Sequence, residues 1–339
     1  MEISKDLMLR AALKYLERIS LKKDENLLII TEPPTDKRVA EALFEAAWQK
    51  GARPIITMTP FRGEQNIEPP PTLAVAMKTA DAAITLVPYD SADFYTRAFL
   101  DMLQGGTRML GFLSATAEGL IELIYHHDFT ITDRICEVLN KTISRAKKIH
   151  ITSPGGTDIS AELGGRPVQL NPGRVAHPGD EGYLPPGVVG QAPIEESWNG
   201  KAVFDAFVYP VGVLSEPVEV EINNGRITSI SGGPEAQAFK EWFASRNDEN
   251  IYWVAHYGFG VNPRLKRLSG LKVLDERICG LFDIGFGTND LPCFQGKIRA
   301  NGHTDGLMTR ASVFYDGNCA FEDGSFVDPE IKACIASIK

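Results

Sequence analysis

The first 150 residues alternate short apolar runs with segments of helical periodicity, and this alternation narrows the fold more than any other feature of the chain. Residues 6–22 place Leu7, Leu9, Ala12, Leu13, Leu16 and Ile19 at helical spacing. Residues 26–31, Asn-Leu-Leu-Ile-Ile-Thr, form the kind of apolar run that a strand covered on both faces requires. Pro33-Pro34-Thr35-Asp36 then interrupts the chain. Asp36 is placed to cap a helix holding Val39, Leu43, Ala46, Ala47 and Trp48, with Gly51 as its stop. Residues 54–58, 82–87 and 107–112 read as strands, 118–125 and 131–146 as helices, and 148–152 as a further strand. Strands separated by helices pair in parallel, because a parallel pair needs a crossover that covers the sheet. No G-x-G-x-x-G or Walker sequence follows any of these strands, so no nucleotide site is expected.

The texture changes after Thr152. Residues 153–193 are rich in Gly and Pro, in repeated pairs such as Pro172-Gly173 and Pro185-Pro186-Gly187, and read as short strands joined by tight turns. Residues 201–208 and 218–222 follow as strands. Asn224-Gly225 between residues 218–222 and 226–230 is a strong hairpin signal. Residues 236–244 read as a helix, and residues 311–315 return to strand. The fold class expected is an α/β N-terminal domain with a mainly parallel sheet, residues 1–150, followed by a β-rich α+β C-terminal metal-binding domain, residues 151–339.

A net charge of −9 argues against nucleic acid or an anionic membrane as partner, since both need basic patches. No run reaches the ~20 apolar residues of a membrane span, and Met1-Glu-Ile-Ser-Lys-Asp6 opens a charged amphipathic segment rather than a signal peptide. The five cysteines, 136, 279, 293, 319 and 334, are odd in number and irregular in spacing. They read as reduced thiols in a cytoplasmic protein. A chain of this size is expected to form a homo-oligomer.

Two of the six histidines fall in one stretch with an unusual setting. His256 stands between a β-branched, aromatic run and Tyr257-Gly-Phe-Gly260. Gly302-His303-Thr304-Asp305 follows 47 residues later. On an extended strand His303 and Asp305 point to one face, about 6.5–7 Å apart. With His256 as third ligand they make the two-His, one-carboxylate set of non-haem Fe(II) oxygenases, which leaves coordination positions open. Spacing alone shows only that three ligands could converge. The neighbouring aromatics Trp253, Tyr257, Phe259 and Phe286 either wall a flat pocket or pack the core. His126-His127-Asp128 reads as a helix end, and His150 as a strand histidine with its hydrogen bonds satisfied.

Three pieces arrive in an order that resembles a known group. They are Pro172-Gly-Arg with Gly182-Tyr-Leu-Pro-Pro-Gly-Val-Val189, then Ala255-His-Tyr-Gly-Phe-Gly-Val-Asn-Pro263 with Gly285-Phe-Gly287, then Gly302-His-Thr-Asp305. Together they resemble the aminopeptidase T family of metallo-peptidases and, more closely, the related 2,5-dihydroxypyridine 5,6-dioxygenase family. The departures separate the two. Val188 and His256 stand where the peptidases carry glutamates, and Asp283 where they carry a histidine, whereas the H-x-D pair is kept. Losing the glutamates removes the two-metal clamp that activates water for amide hydrolysis.

The resemblance implies a mononuclear Fe(II) dioxygenase that opens the ring of a hydroxylated N-heteroaromatic such as 2,5-dihydroxypyridine with O₂, its iron held by His256, His303 and Asp305. The ligand set suits manganese as well. The resemblance also implies an active-site histidine at His177, to hold substrate or move protons. Tyr95 falls where the dioxygenases carry a histidine base, a weak substitute because its hydroxyl titrates near 10. The alternative is an aminopeptidase or amidase, for which Glu181, Asp283 and Asp290 are the available carboxylates.

Overall fold

A computed structural model describes residues 3–338; Met1 and Glu2, the start of the charged N-terminal segment, lie outside the described residues, as does Lys339. The chain divides into two compact units, Met1–Phe129 with Asn171–Pro186, and Thr130–Leu170 with Gly187–Lys339.

The first unit is built on a five-stranded sheet in the order Arg53–Met58, Asn26–Thr31, Ala82–Thr85, Arg108–Gly111, Glu181–Tyr183. Every pairing in it is parallel. Asn26–Thr31 is buried from Leu27 onward, as its unbroken apolar run requires. The helices Lys5–Arg18 and Lys37–Gln49 begin at caps whose side chains accept main-chain hydrogen bonds, Ser4 from Leu7 and Asp36 from Arg38. Gly51 closes the second at φ +79°. Two shorter helices, Pro71–Thr79 and Arg97–Gln104, complete the crossovers.

The second unit holds two further sheets. Its eight-stranded sheet runs Arg226–Gly232, Val218–Asn223, Asn199–Phe204, Asp158–Glu162, Lys148–Thr152, Ser312–Tyr315, Asn318–Glu322, Ser325–Phe326. Its seven-stranded sheet runs Gly212–Val213, Phe207–Val208, His303–Met308, Phe282–Gly287, Val254–Gly260, Val188–Gln191, Val168–Asn171. One core draws Ile149, Ile151, Val218 and Val220 from the first of these and Tyr257, Phe259, Phe282 and Ile284 from the second. The fold class is therefore as expected: a parallel α/β part and a β-rich part with a few helices.

The single cut expected near residue 150 differs from this division. Residues 130–170 belong to the second unit, because Lys148–Thr152 alternates exposed and buried residues and pairs antiparallel with Asp158–Glu162 and Ser312–Tyr315. The chain then returns to the first unit, where Glu181–Tyr183 extends the parallel sheet beside Arg108–Gly111. The strand expected over residues 201–208 is also split. Asn199–Phe204 stays in the eight-stranded sheet, while Phe207–Val208 pairs with Gly306 and Leu307 in the other.

Candidate metal centre

Three adjacent antiparallel strands of the second unit, Val254–Gly260, Phe282–Gly287 and His303–Met308, set the site. His256 lies opposite Gly285, and Gly285 opposite Asp305, so all three share one face. His303, two residues before Asp305 and opposite Gly287, shares it too. The same face carries Gly258 and Asp283, which are also paired. The opposite face carries Tyr257, Phe259, Phe282, Ile284 and Phe286, all fully buried in the core. The period-2 alternation of aromatic residues with Gly, His and Asp is thus a partition between core and site.

The donors converge. His256 Nε2 lies 3.0 Å from His303 Nε2, and Asp305 Oδ1 lies 3.3 Å from each. Bonds of about 2.1 Å would set neighbouring donors about 3.0 Å apart at right angles and about 3.4 Å apart at the tetrahedral angle. The three observed edges fall in that range. His303 Nδ1 is 3.2 Å from the Thr288 carbonyl, an acceptor that fixes the proton on Nδ1 and turns the Nε2 lone pair toward the site. His256 Nδ1 faces Asp283 Oδ1 at 3.5 Å. With the His303 proton held outside, its Nε2 lone pair and the Asp305 carboxylate oxygen face each other beside His256 Nε2, while His256 Nδ1 has no hydrogen-bond partner among the described residues. A cation among the three would bind all of them.

Gly285 makes the space. A Cβ there would lie 2.5 Å from His256 Nε2 and 2.9 Å from Asp305 Oδ1, pressed against two of the three donors. Likewise a Cβ on Gly258 would lie 2.5 Å from the Asp283 carboxylate. The residues present therefore fit a single metal ion. They are the one group of three or more His, Cys, Asp or Glu donors gathered within 4.8 Å among the described residues.

The surroundings bias the charges. Burial pushes His256 down to about 3, with His303 and Lys272 reinforcing and Asp305 opposing. Burial alone would raise Asp305. The Lys272 ammonium, 3.0 Å from its Oδ2, together with the two histidines, outweighs that and holds the carboxyl well below its ordinary range. Asp283 is raised well above that range, first by burial and then by the Asp305 and Glu276 charges. Lys272 also pairs with Glu276, which pairs with Arg277. The Phe294 ring stacks on His256 at 4.8 Å, and the His303 ring stacks on it at 4.9 Å.

Sequence reasoning missed Lys272, Phe294 and the part played by Gly285. Only Gly285 had a signal, the Gly-Phe-Gly alternation. Three of the aromatics weighed as a pocket wall are core instead: Tyr257, Phe259 and Phe286 lie on the far face, while Trp253 is half-buried under the Arg226 guanidinium. His177 and Tyr95 belong to the first unit, not to the unit that carries the three donors. His177 is exposed, with its N–H on Asp180. Tyr95 is half-buried, its N–H on the Asn66 side chain and its ring 6.0 Å from Phe94. Of the other histidines noted, His127 is buried and His150 bonds Asp158 at 2.8 Å.

A family model described as 2,5-dihydroxypyridine 5,6-dioxygenase (NicX) matches residues 7–328. A curated 2,5-dihydroxypyridine 5,6-dioxygenase of Pseudomonas putida strain KT2440 is 28% identical over 199 residues, covering 56% of this chain and 56% of that protein. The chain thus spans little more than half the length of that relative in the matched stretch. The solved 2,5-dihydroxypyridine dioxygenase of Pseudomonas putida KT2440 shares the fold with a TM-score of 0.84, at 21% identity, over 97% of this chain and 99% of that one. Wild-type AmpT from Thermus thermophilus does so with a TM-score of 0.72, at 13% identity, over 96% and 100%. At these identities the two solved structures speak for the fold, and the family model, matched along nearly the whole sequence, places this chain in the 2,5-dihydroxypyridine 5,6-dioxygenase family.

Proposed function

We propose that this chain opens the ring of a hydroxylated N-heteroaromatic, 2,5-dihydroxypyridine or a close analogue, using O₂ and an Fe(II) ion held by His256, His303 and Asp305. The observation that carries this reading is the triangle of three inward-facing donors in a cradle that a Cβ at Gly285 would fill. Bound there, Fe(II) supplies a route for electrons from an electron-rich ring to dioxygen.

The chain's own residues do the rest. The Thr288 carbonyl holds the His303 proton outward, so its Nε2 stays available, and the Asp283 carboxyl lies 3.5 Å from His256 Nδ1 on the side away from the donors. Lys272 occupies Asp305 Oδ2 and leaves Oδ1 for the site. Gly285 keeps a side chain off His256 and Asp305, and Gly258 leaves room for the Asp283 carboxyl. His177 is assigned proton movement or substrate holding, and Tyr95 the donation of a hydrogen bond, both on the strength of the family resemblance. The five cysteines, none of them in a disulfide among the described residues, support a reducing compartment, the cytoplasm. No helix of the described residues is long and apolar enough to cross a membrane. The aminopeptidase reading needs a second metal clamp, and no second donor cluster gathers among the described residues.

The test is anaerobic purification, metal analysis and an oxygen-electrode assay with Fe(II) and 2,5-dihydroxypyridine. Iron-dependent O₂ uptake that disappears in His303→Ala is expected. Cleavage of aminoacyl anilides with zinc, and no O₂ uptake, would replace this reading with the hydrolase.

A further inference from the structure

The parallel sheet of the first unit ends on Arg53–Met58, and among the described residues no strand pairs beyond it. Arg53 N–H donates to the Glu25 carbonyl and Thr59 N–H to that of Thr31, with an unbroken register between them. A parallel strand turns alternate residues toward its neighbour. Residues 53, 55, 57 and 59 therefore face inward, and the main-chain groups of Pro54, Ile56 and Met58 face outward.

Exposed edges are ordinarily blunted by charge, bulges or cover. This one has Pro54 near its start and then apolar side chains: Ile55 is 63% exposed, Ile56 37% and Met58 52%. Trp48 and Phe61, before and after the strand, are 64% and 52% exposed. Eleven large hydrophobics are exposed among the described residues, and seven of them (Trp48, Ile55, Ile56, Met58, Phe61, Ile67 and Val75) fall within residues 48–75. Scattered exposure needs no explanation, but Ile55, Ile56 and Met58 exposed together on one open edge strand do.

We propose that this edge joins two copies of the chain, the strands antiparallel about a two-fold axis at Ile56. In that register each Ile56 N–H donates to the Ile56 carbonyl of the other copy, and each Met58 N–H donates to the other copy's Pro54 carbonyl. Every outward N–H of the strand then has an acceptor. The N–H that proline lacks falls opposite the other copy's Met58 carbonyl, so one bond is forgone at each end of the pairing. This self-matching favours a second copy over an unrelated strand, and isologous contacts are the common form of homodimer. Five half-exposed apolar side chains, at roughly 100 Å² each, offer about 500 Å² per copy. A stable interface takes about 800 Å² from each partner, and the strand backbones and flanking residues supply the remainder.

Light scattering on the full chain reads the result. The native mass should be an even multiple of 37.2 kDa, and Ile56→Lys with Met58→Lys should halve it. Ile56→Cys supplies a second, non-disruptive reading. Opposed Cβ atoms of a hydrogen-bonded pair lie about 5.5 Å apart, too far for an unstrained disulfide, so a short bismaleimide should give a covalent pair, whereas with Val75→Cys it should not. A monomeric native chain, an unchanged mass in the double variant, or no covalent pair from Ile56→Cys would overturn the proposal. Should the double variant misfold, the cysteine variant decides alone.

Discussion

One face of the strands Val254–Gly260, Phe282–Gly287 and His303–Met308 is filled by Tyr257, Phe259, Phe282, Ile284 and Phe286, and the other carries His256, Gly258, Asp283, Gly285, His303 and Asp305. Alternate residues of the same three strands thus meet opposite demands. The aromatic face gains on the order of 1.5–3 kcal/mol for each large side chain it buries. The donor face buries ionisable groups at a cost and leaves gaps where side chains would ordinarily pack. The first face holds the backbone in register so that the second can keep an arrangement it would not adopt alone.

The comparison can be broken most severely from the core side. Phe259→Ala should cost about 3–5 kcal/mol of stability, read as a lower urea midpoint, while the fraction that remains folded still binds metal in the wild-type proportion. A pH series separates the faces next. His256 has its folded pKa lowered to about 3 from 6.5 by burial. Between those values the unfolded chain takes up a proton that the folded chain refuses. The stability of the metal-free protein should therefore be greatest above pH 6.5 and fall as the pH drops toward 3, by up to about 1.4 kcal/mol per pH unit. In His256→Phe that slope should flatten.

A subtler break is Asp283→Ala, which removes the carboxylate facing His256 Nδ1 at 3.5 Å. Metal affinity should weaken by about 10–100-fold, measured by competition with a chelator, with the circular dichroism spectrum unchanged. The smallest effect belongs to Ile284→Val on the core face. It should cost about 0.5–1.5 kcal/mol in thermal melts and leave metal affinity as it was, which sharpens the separation between packing and site.

Much of this was legible beforehand. The apolar run 26–31 and the Asp36 cap announced the parallel sheet, and the Asn-Gly turn at 224–225 announced a hairpin. His303 and Asp305 were legible as a pair because strand period puts an H-x-D pair on one face, whereas His256 was a candidate from its place between an aromatic run and a glycine pair and from the resemblance. Other parts were hidden for physical reasons. Glu181–Tyr183 is a three-residue strand inside a Gly/Pro-rich stretch, too short to show a period, so its return to the first sheet could not be read. The helix Pro71–Thr79 starts behind a run of prolines and shows little amphipathic pattern. Lys272 and Glu276 stand at a one-turn helix, and nothing local links them to a carboxylate some thirty residues on.

The most direct measurement is metal stoichiometry and affinity in the wild type beside Gly285→Ala. The backbone at Gly285 is not in the left-handed region, so alanine is acceptable to the strand, and the atoms its Cβ would meet are side-chain ends at the donor triangle. The account expects one ion per wild-type chain, and in Gly285→Ala a folded protein whose metal affinity has fallen at least ~100-fold. Gly285→Ala binding one ion as tightly as the wild type would contradict it.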